Sequence, residues 1–258
     1  MSWHFGERDS VRLACRDFGG RGSPVLLLHG LAGNAEEWTA TAHQLSATHR
    51  VYALDQRGHG RSERMPADVS QAAFTRDIEF WLDYLELGPT TIIGQSLGAL
   101  TSFLFAARRP DLVDRLVIAE ATPEADRAAP AAFRQWISQW PQPFASLEAA
   151  VAFFGDSNWG KTWAAGLERA SDGYRGAFDP ITIERAITEA SARDYWDEWR
   201  SITRPTLIVR GETGAPQAIV ARMQRSLKTA QAVTIPGAGH DVHLAQPTLW
   251  IRAIQRFI

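Results

Sequence analysis

An α/β fold, with helices on both faces of a mostly parallel eight-stranded sheet and a helical insertion, is the fold class this sequence predicts. Three observations predict it. Short apolar runs such as Val25–Leu28, Val51–Leu54 and Thr90–Ile93 alternate with stretches of helical period. Val25–Leu28 is apolar at every position, as in a strand buried on both faces. The alternation stops between Pro123 and about Arg200, where no clear strand shows, and resumes at Pro205–Arg210.

The elements follow in order. Trp3–Glu7 and Val11–Phe18 form a hairpin about Arg8-Asp9-Ser10. After a glycine-rich loop comes the Val25–Leu28 strand, then His29-Gly30-Leu31-Ala32-Gly33-Asn34 as a loop. Ala35–Ala47 is helical, with Trp38 and Leu45 as apolar anchors, and Val51–Leu54 is a strand ending at Asp55. Ser70 begins an amphipathic helix whose Phe74, Ile78, Trp81, Leu82 and Leu85 recur at spacings of three and four, and Gly88-Pro89 ends it. The Thr90–Ile93 strand leads through Ser96 into a helix reaching Arg109, and Val113–Ala119 is a further strand. Beyond the insertion lie a helix at Gln217–Leu227, a strand at Ala232–Ile235, a loop at Pro236–His240 and a last helix at Thr248–Ile258. The expected organisation is a core of residues 1–122 and 201–258, with residues 123–200 as a helical cap.

Composition narrows the function. A chain of 258 residues can bury a large core, and 45% hydrophobic with 22% charged residues is ordinary for a soluble globular protein. A net charge of −2 offers no attraction to nucleic acid or an anionic membrane. Cys15 is the single cysteine, which rules out an intramolecular disulfide; it fits a buried strand position and a reducing compartment. The N-terminus lacks the apolar core of a signal peptide, and no apolar run approaches the ~20 residues of a membrane span. The expectation is a soluble, cytoplasmic chain whose partner is a small molecule. No His, Cys and carboxylate cluster has metal-ligand spacing, and no phosphate-cradling loop follows the first strand, so neither metal nor cofactor is expected.

Gly94-Gln95-Ser96-Leu97-Gly98 carries the chemistry. A strand turning sharply into a helix holds one side chain, here Ser96, at the edge of the sheet, and the flanking glycines allow the tight turn. His29-Gly30 follows an earlier strand, Asp55-Gln56-Arg57-Gly58-His59-Gly60-Arg61-Ser62 follows the next, and Gly239-His240 precedes the last helix. In that order and context the chain resembles the α/β-hydrolase superfamily along essentially its whole length. The resemblance implies Ser96 as nucleophile and His240 as general base, with the backbone N–H groups of Leu31 and Leu97 as oxyanion donors. It implies a bracing role for Asp55 and Arg57, and a structural or substrate-adjacent one for His59 and His243.

The third member of the triad departs from the pattern. Family members commonly place an Asp where this chain has Gly214, in Gly211-Glu212-Thr213-Gly214. Glu120 is the first candidate. It ends the Val113–Ala119 strand, which should lie beside the nucleophile strand, so its carboxylate faces the same sheet edge. This is similar to certain haloalkane dehalogenases and lactone hydrolases. Glu212, in the usual loop but two residues early, is the second candidate.

Six of the ten tryptophans fall in the insertion. Most of its aromatics should pack the cap itself, but Trp136, Trp140, Phe154, Trp159 and Trp163 are candidates to line a pocket over Ser96, which would suit a hydrophobic or aromatic substrate. The expected function is a serine hydrolase cleaving a carboxylic ester or lactone. The alternatives are a lyase, a C–C bond hydrolase or a cofactor-free biosynthetic enzyme using the same site, and, from another class, a ligand-binding receptor.

Overall fold

Eight strands form one sheet in the computed structural model, which describes residues 2–258. The strands are β1 (Ser2–Arg8), β2 (Val11–Gly19), β3 (Pro24–Leu28), β4 (Arg50–Asp55), β5 (Thr90–Gln95), β6 (Val113–Ala119), and, after a two-stranded hairpin of β7 (Glu168–Ala170) and β8 (Gly173–Arg175), β9 (Thr206–Gly211) and β10 (Ala230–Ile235). Their order across the large sheet is β1-β2-β4-β3-β5-β6-β9-β10. The β1–β2 and β2–β4 pairs are antiparallel and all later pairs are parallel.

The apolar strands are buried on both faces, and their period of two sorts them between two cores. Leu26, Leu28, Ile92, Leu116, Ile118 and Ile208 face α2 (Gln71–Tyr84), α3 (Leu97–Arg108) and α9 (Gln217–Ser226). Val25, Leu27, Ile93, Val117, Leu207 and Val209 face α1 (Thr39–Leu45) and α11 (Pro247–Gln255), which follows the short α10 (Val242–Ala245). Ser70 caps α2, its side chain accepting from Ala73 N at 3.2 Å.

Between β6 and β9 lie α4 (Ala129–Ile137), α5 (Leu147–Phe154), α6 (Asn158–Ala165), α7 (Pro180–Ala190) and α8 (Trp196–Ser201). This stretch carries its own apolar cluster around Trp140, Phe144, Phe154 and Phe178. Trp199 seats its far end on the main core: its ring meets Phe103 edge-on at 5.6 Å and its Nε1 donates to Ser226 Oγ at 3.0 Å.

Two expectations need correction. The insertion does hold strands, β7 and β8, but each has only three residues, too short for a period to show. The helix expected over Ala35–Ala47 is a 3₁₀ turn at Ala35–Trp38, capped by Asn34 accepting from Glu36 N, followed by α1.

Sheet order reverses at β3, which lies between β4 and β5, so the crevice at the C-terminal ends of these strands is where a parallel sheet offers a site. No described helix is long and apolar enough to cross a membrane.

Candidate active site

Ser96 sits where β5 becomes α3, with φ 51° and ψ −116°, a backbone conformation rarely adopted by residues other than glycine. Its N–H donates to Ala119 O at 2.8 Å, which ties the turn to the end of β6. The turn also needs Gly98. A Cβ there would lie 2.3 Å from Leu28 O and 2.5 Å from His29 O, so only glycine lets α3 press against the end of β3. Leu97 is the first residue of α3, and its N–H has no partner within the helix.

Glu120 follows β6 directly, one strand over from Ser96, with φ 55°. Its Oε1 accepts from Gly211 N at 2.5 Å and its Oε2 from Ala215 N at 2.8 Å. His240 Nδ1 lies 3.6 Å from Oε2, an ion-pair distance that a hydrogen bond would have to shorten. The missing side chain of Gly214 makes this possible. A Cβ at Gly214 would fall 2.2 Å from each Glu120 carboxylate oxygen. The space around position 214 is filled by a carboxylate arriving from β6. Glu212 is engaged elsewhere: it is exposed, and its Oε2 accepts from Gly237 N at 2.9 Å.

His240 faces the cavity, with 58% of its side-chain surface accessible. Burial pulls its pKa down, but contact with Glu120 and the negative charges of Asp241, Glu120 and Glu37 prevail and leave it above the ordinary histidine value.

The loop after β3, which carries Leu31, is braced by two buried histidines. His59 Nε2 accepts from Ala32 N at 3.1 Å while its Nδ1–H donates to Arg57 O at 2.9 Å. His29 Nε2 accepts from Gln56 N at 3.0 Å and its Nδ1–H donates to Gly30 O at 2.7 Å. Burial above all pushes the His59 pKa down to about 4, and burial together with its neighbour His59 lowers that of His29, so both rings stay neutral and keep these acceptor nitrogens. Asp55 accepts from Ala35 N and Arg61 N, each at 2.7 Å, and Arg57 pairs with Asp77 at 2.6 Å. These residues sit behind the loop and hold it in place.

Ser96, Leu97, Leu31, Glu120 and His240 all line one cavity of about 700 Å³. Trp136, Trp159, Trp163, Phe133, Tyr195 and Leu100 supply its apolar wall. Trp140 and Phe154 do not line it. Both are buried in the insertion's own core, where Trp140 meets Phe154 edge-on at 4.9 Å. Lys161 and Arg193 point elsewhere, paired with Asp156 and Glu198. No group of three or more His, Cys, Asp or Glu among the described residues could hold a metal ion.

The sequence profile of the alpha/beta hydrolase fold matches residues 23–247. The chain belongs to the α/β-hydrolase family. A 2-(acetamidomethylene)succinate hydrolase of Mesorhizobium japonicum is 30% identical over 247 residues, covering 93% of this chain and 89% of the relative. A crystal structure of an E-2-(acetamidomethylene)succinate hydrolase superposes with a TM-score of 0.88 at 28% identity, covering 98% of this chain and 99% of that one. A marine microorganism esterase superposes with a TM-score of 0.79 at 27% identity, covering 95% and 99%.

Four acidic residues that line this α/β hydrolase's cavity escaped the sequence reading: Glu37, Asp241, Glu124 and Asp126. Glu37, 11% exposed at its side chain, lines the cavity with its Oε1 3.2 Å from His243 Nε2. Burial raises its pKa, partly offset by His243. Asp241 lines the cavity beside His240; its Oδ1 accepts from Gln95 Nε2 at 3.3 Å and its Oδ2 from Trp159 Nε1. Asp241 could have been suspected as the neighbour of His240, but nothing in the local sequence distinguishes Glu37 from Glu36.

Proposed function

We propose that the chain is a serine hydrolase cleaving a carboxylic ester or lactone of a hydrophobic or aromatic small molecule through an acyl-enzyme on Ser96. The observation that carries this reading is that Ser96, on its strained strand–helix turn, shares one aromatic-walled cavity with the His240–Glu120 pair. Relatives that include an esterase support it. The succinate in other relatives' names is not carried over, because the charges around this cavity oppose it.

In this reading His240 Nε2 takes the Ser96 proton as Oγ attacks the carbonyl carbon. The resulting oxyanion accepts from the N–H groups of Leu31 and Leu97, the latter at the N-terminus of a helix of 12 residues. The imidazolium then gives its proton to the leaving oxygen as the carbon–oxygen bond breaks. Water, deprotonated by His240, attacks the acyl-enzyme, and the carboxylic acid leaves Ser96 restored. Glu120 holds Nδ1–H toward itself and stabilises the imidazolium, as the acid of such a triad does.

A fluorophosphonate probe tests the reading. Mass spectrometry should find one adduct, on Ser96, that disappears in Ser96→Ala. An intact wild-type protein that takes no adduct sinks the proposal.

A further inference from the structure

The cavity's charges single out a class of substrate. Five carboxylates line it; Glu124 and Asp126 are among them, and three act on His240: Glu37, Glu120 and Asp241. Each is held by fixed partners, Glu37 by His243, Glu120 by the Gly211 and Ala215 amides, and Asp241 by Gln95 and Trp159. The rings of Trp136, Trp159 and Trp163 line the same cavity. In its base form His240 is neutral, and no lysine or arginine is among the described residues that line the cavity to compensate these charges.

We propose that this cavity rejects substrates whose acyl group carries a carboxylate and takes uncharged ones, with Glu37 and Asp241 as the specificity-determining residues. The proposal rests on the serine-hydrolase reading for where the acyl group sits. An entering carboxylate would lose its hydration and meet like charges through a medium of low dielectric, without gaining a cation. An uncharged chain of the same shape pays only the ordinary cost of ordering, and it gains burial against the tryptophan wall. Glu120 is committed to His240 and two amides. Glu37 and Asp241 are free to act on the substrate's charge because no step of the proposed mechanism uses them. The raised pKa of His240 is in accord with a negative potential at this point.

The test uses two stable ketones of matched shape, 5-oxo-5-phenylpentanoate and its primary amide, which place a carbonyl where the ester would lie and differ in charge and in the amide's N–H donors. Their affinities for the wild-type protein are measured by calorimetry at low salt and about pH 8. The amide should bind at least about tenfold more tightly. Glu37→Gln and Asp241→Asn should each narrow that gap by about threefold or more while leaving the amide's own affinity within about twofold. Equal or tighter binding of the carboxylate overturns the proposal. So does a gap that neither variant narrows, or a cavity that takes neither ligand. The wild-type comparison stands even if one variant fails to fold. Binding needs no turnover, so failure here is distinct from failure of the hydrolase reading, which the fluorophosphonate adduct decides.

Discussion

Glutamate reaches His240 from β6 because Gly214 leaves it room. The carboxylate then gathers two amides of the very loop that would otherwise carry an aspartate. If Glu120 orients and stabilises the proposed base, Glu120→Gln should lower kcat by roughly 10²–10⁴, as loss of the triad acid does elsewhere. Glu212→Gln keeps an oxygen for Gly237 N and should leave kcat within about twofold. The pH profile adds a second readout. Against the pull of burial, Glu120, Asp241 and Glu37 hold the His240 pKa above its ordinary value, and the proposed base works only when neutral, so kcat/KM should fall as pH drops through that raised value. Removing the Glu120 charge should move this acid limb to lower pH. Full activity in Glu120→Gln, or a fixed limb, rules out the assignment.

At the scale of elements, the site is an agreement between strand ends. Ser96 N is bonded to Ala119 O, and Glu120 N to Val209 O at 3.1 Å, so the turns after β5 and β6 are locked to the neighbouring strand. The α3 helix holds the turn from the other side only because Gly98 lets it touch β3. Gly98→Ala should cost roughly 1–3 kcal/mol in urea unfolding and reduce turnover with it, since backbone carbonyls cannot yield as a flexible side chain can. Gly88→Ala, at a position with open space around it, is the control and should fall within about 0.5 kcal/mol of wild type. Equal costs at the two positions would refute the close-approach argument.

Across the whole molecule, Asp77 on α2 ties together segments far apart in sequence. It accepts from Arg57 Nε and Nη2 at 2.6 and 2.7 Å and from Arg8 Nε of β1 at 2.8 Å. Arg57 is buried, so Asp77→Ala strands a cation in the interior and should cost about 3–5 kcal/mol. For a chain of this size that predicts a Tm lower by roughly 6–20 °C in calorimetry. A shift within about 2 °C would show that the pair contributes little net stability.

The sequence by itself determined the sheet and its number of strands. Apolar runs and helical periods act locally, and all-apolar strands can only be buried. The Gly94–Gly98 motif also marked the turn that holds Ser96, because a turn that exposes a side chain leaves a mark in neighbouring glycines, whereas His240 came from the resemblance to the superfamily. Tertiary structure decided the rest. Trp140 and Trp163 look alike along the chain, yet one packs the insertion's core and the other lines the cavity, since burial depends on which helix faces which. Glu120 meets His240 across a separation of 120 residues, and Glu37 meets His243 across 206. Strand order and helix packing make those pairings; the sequence offered Glu120 only as the first of two candidate acids and gave no sign of Glu37.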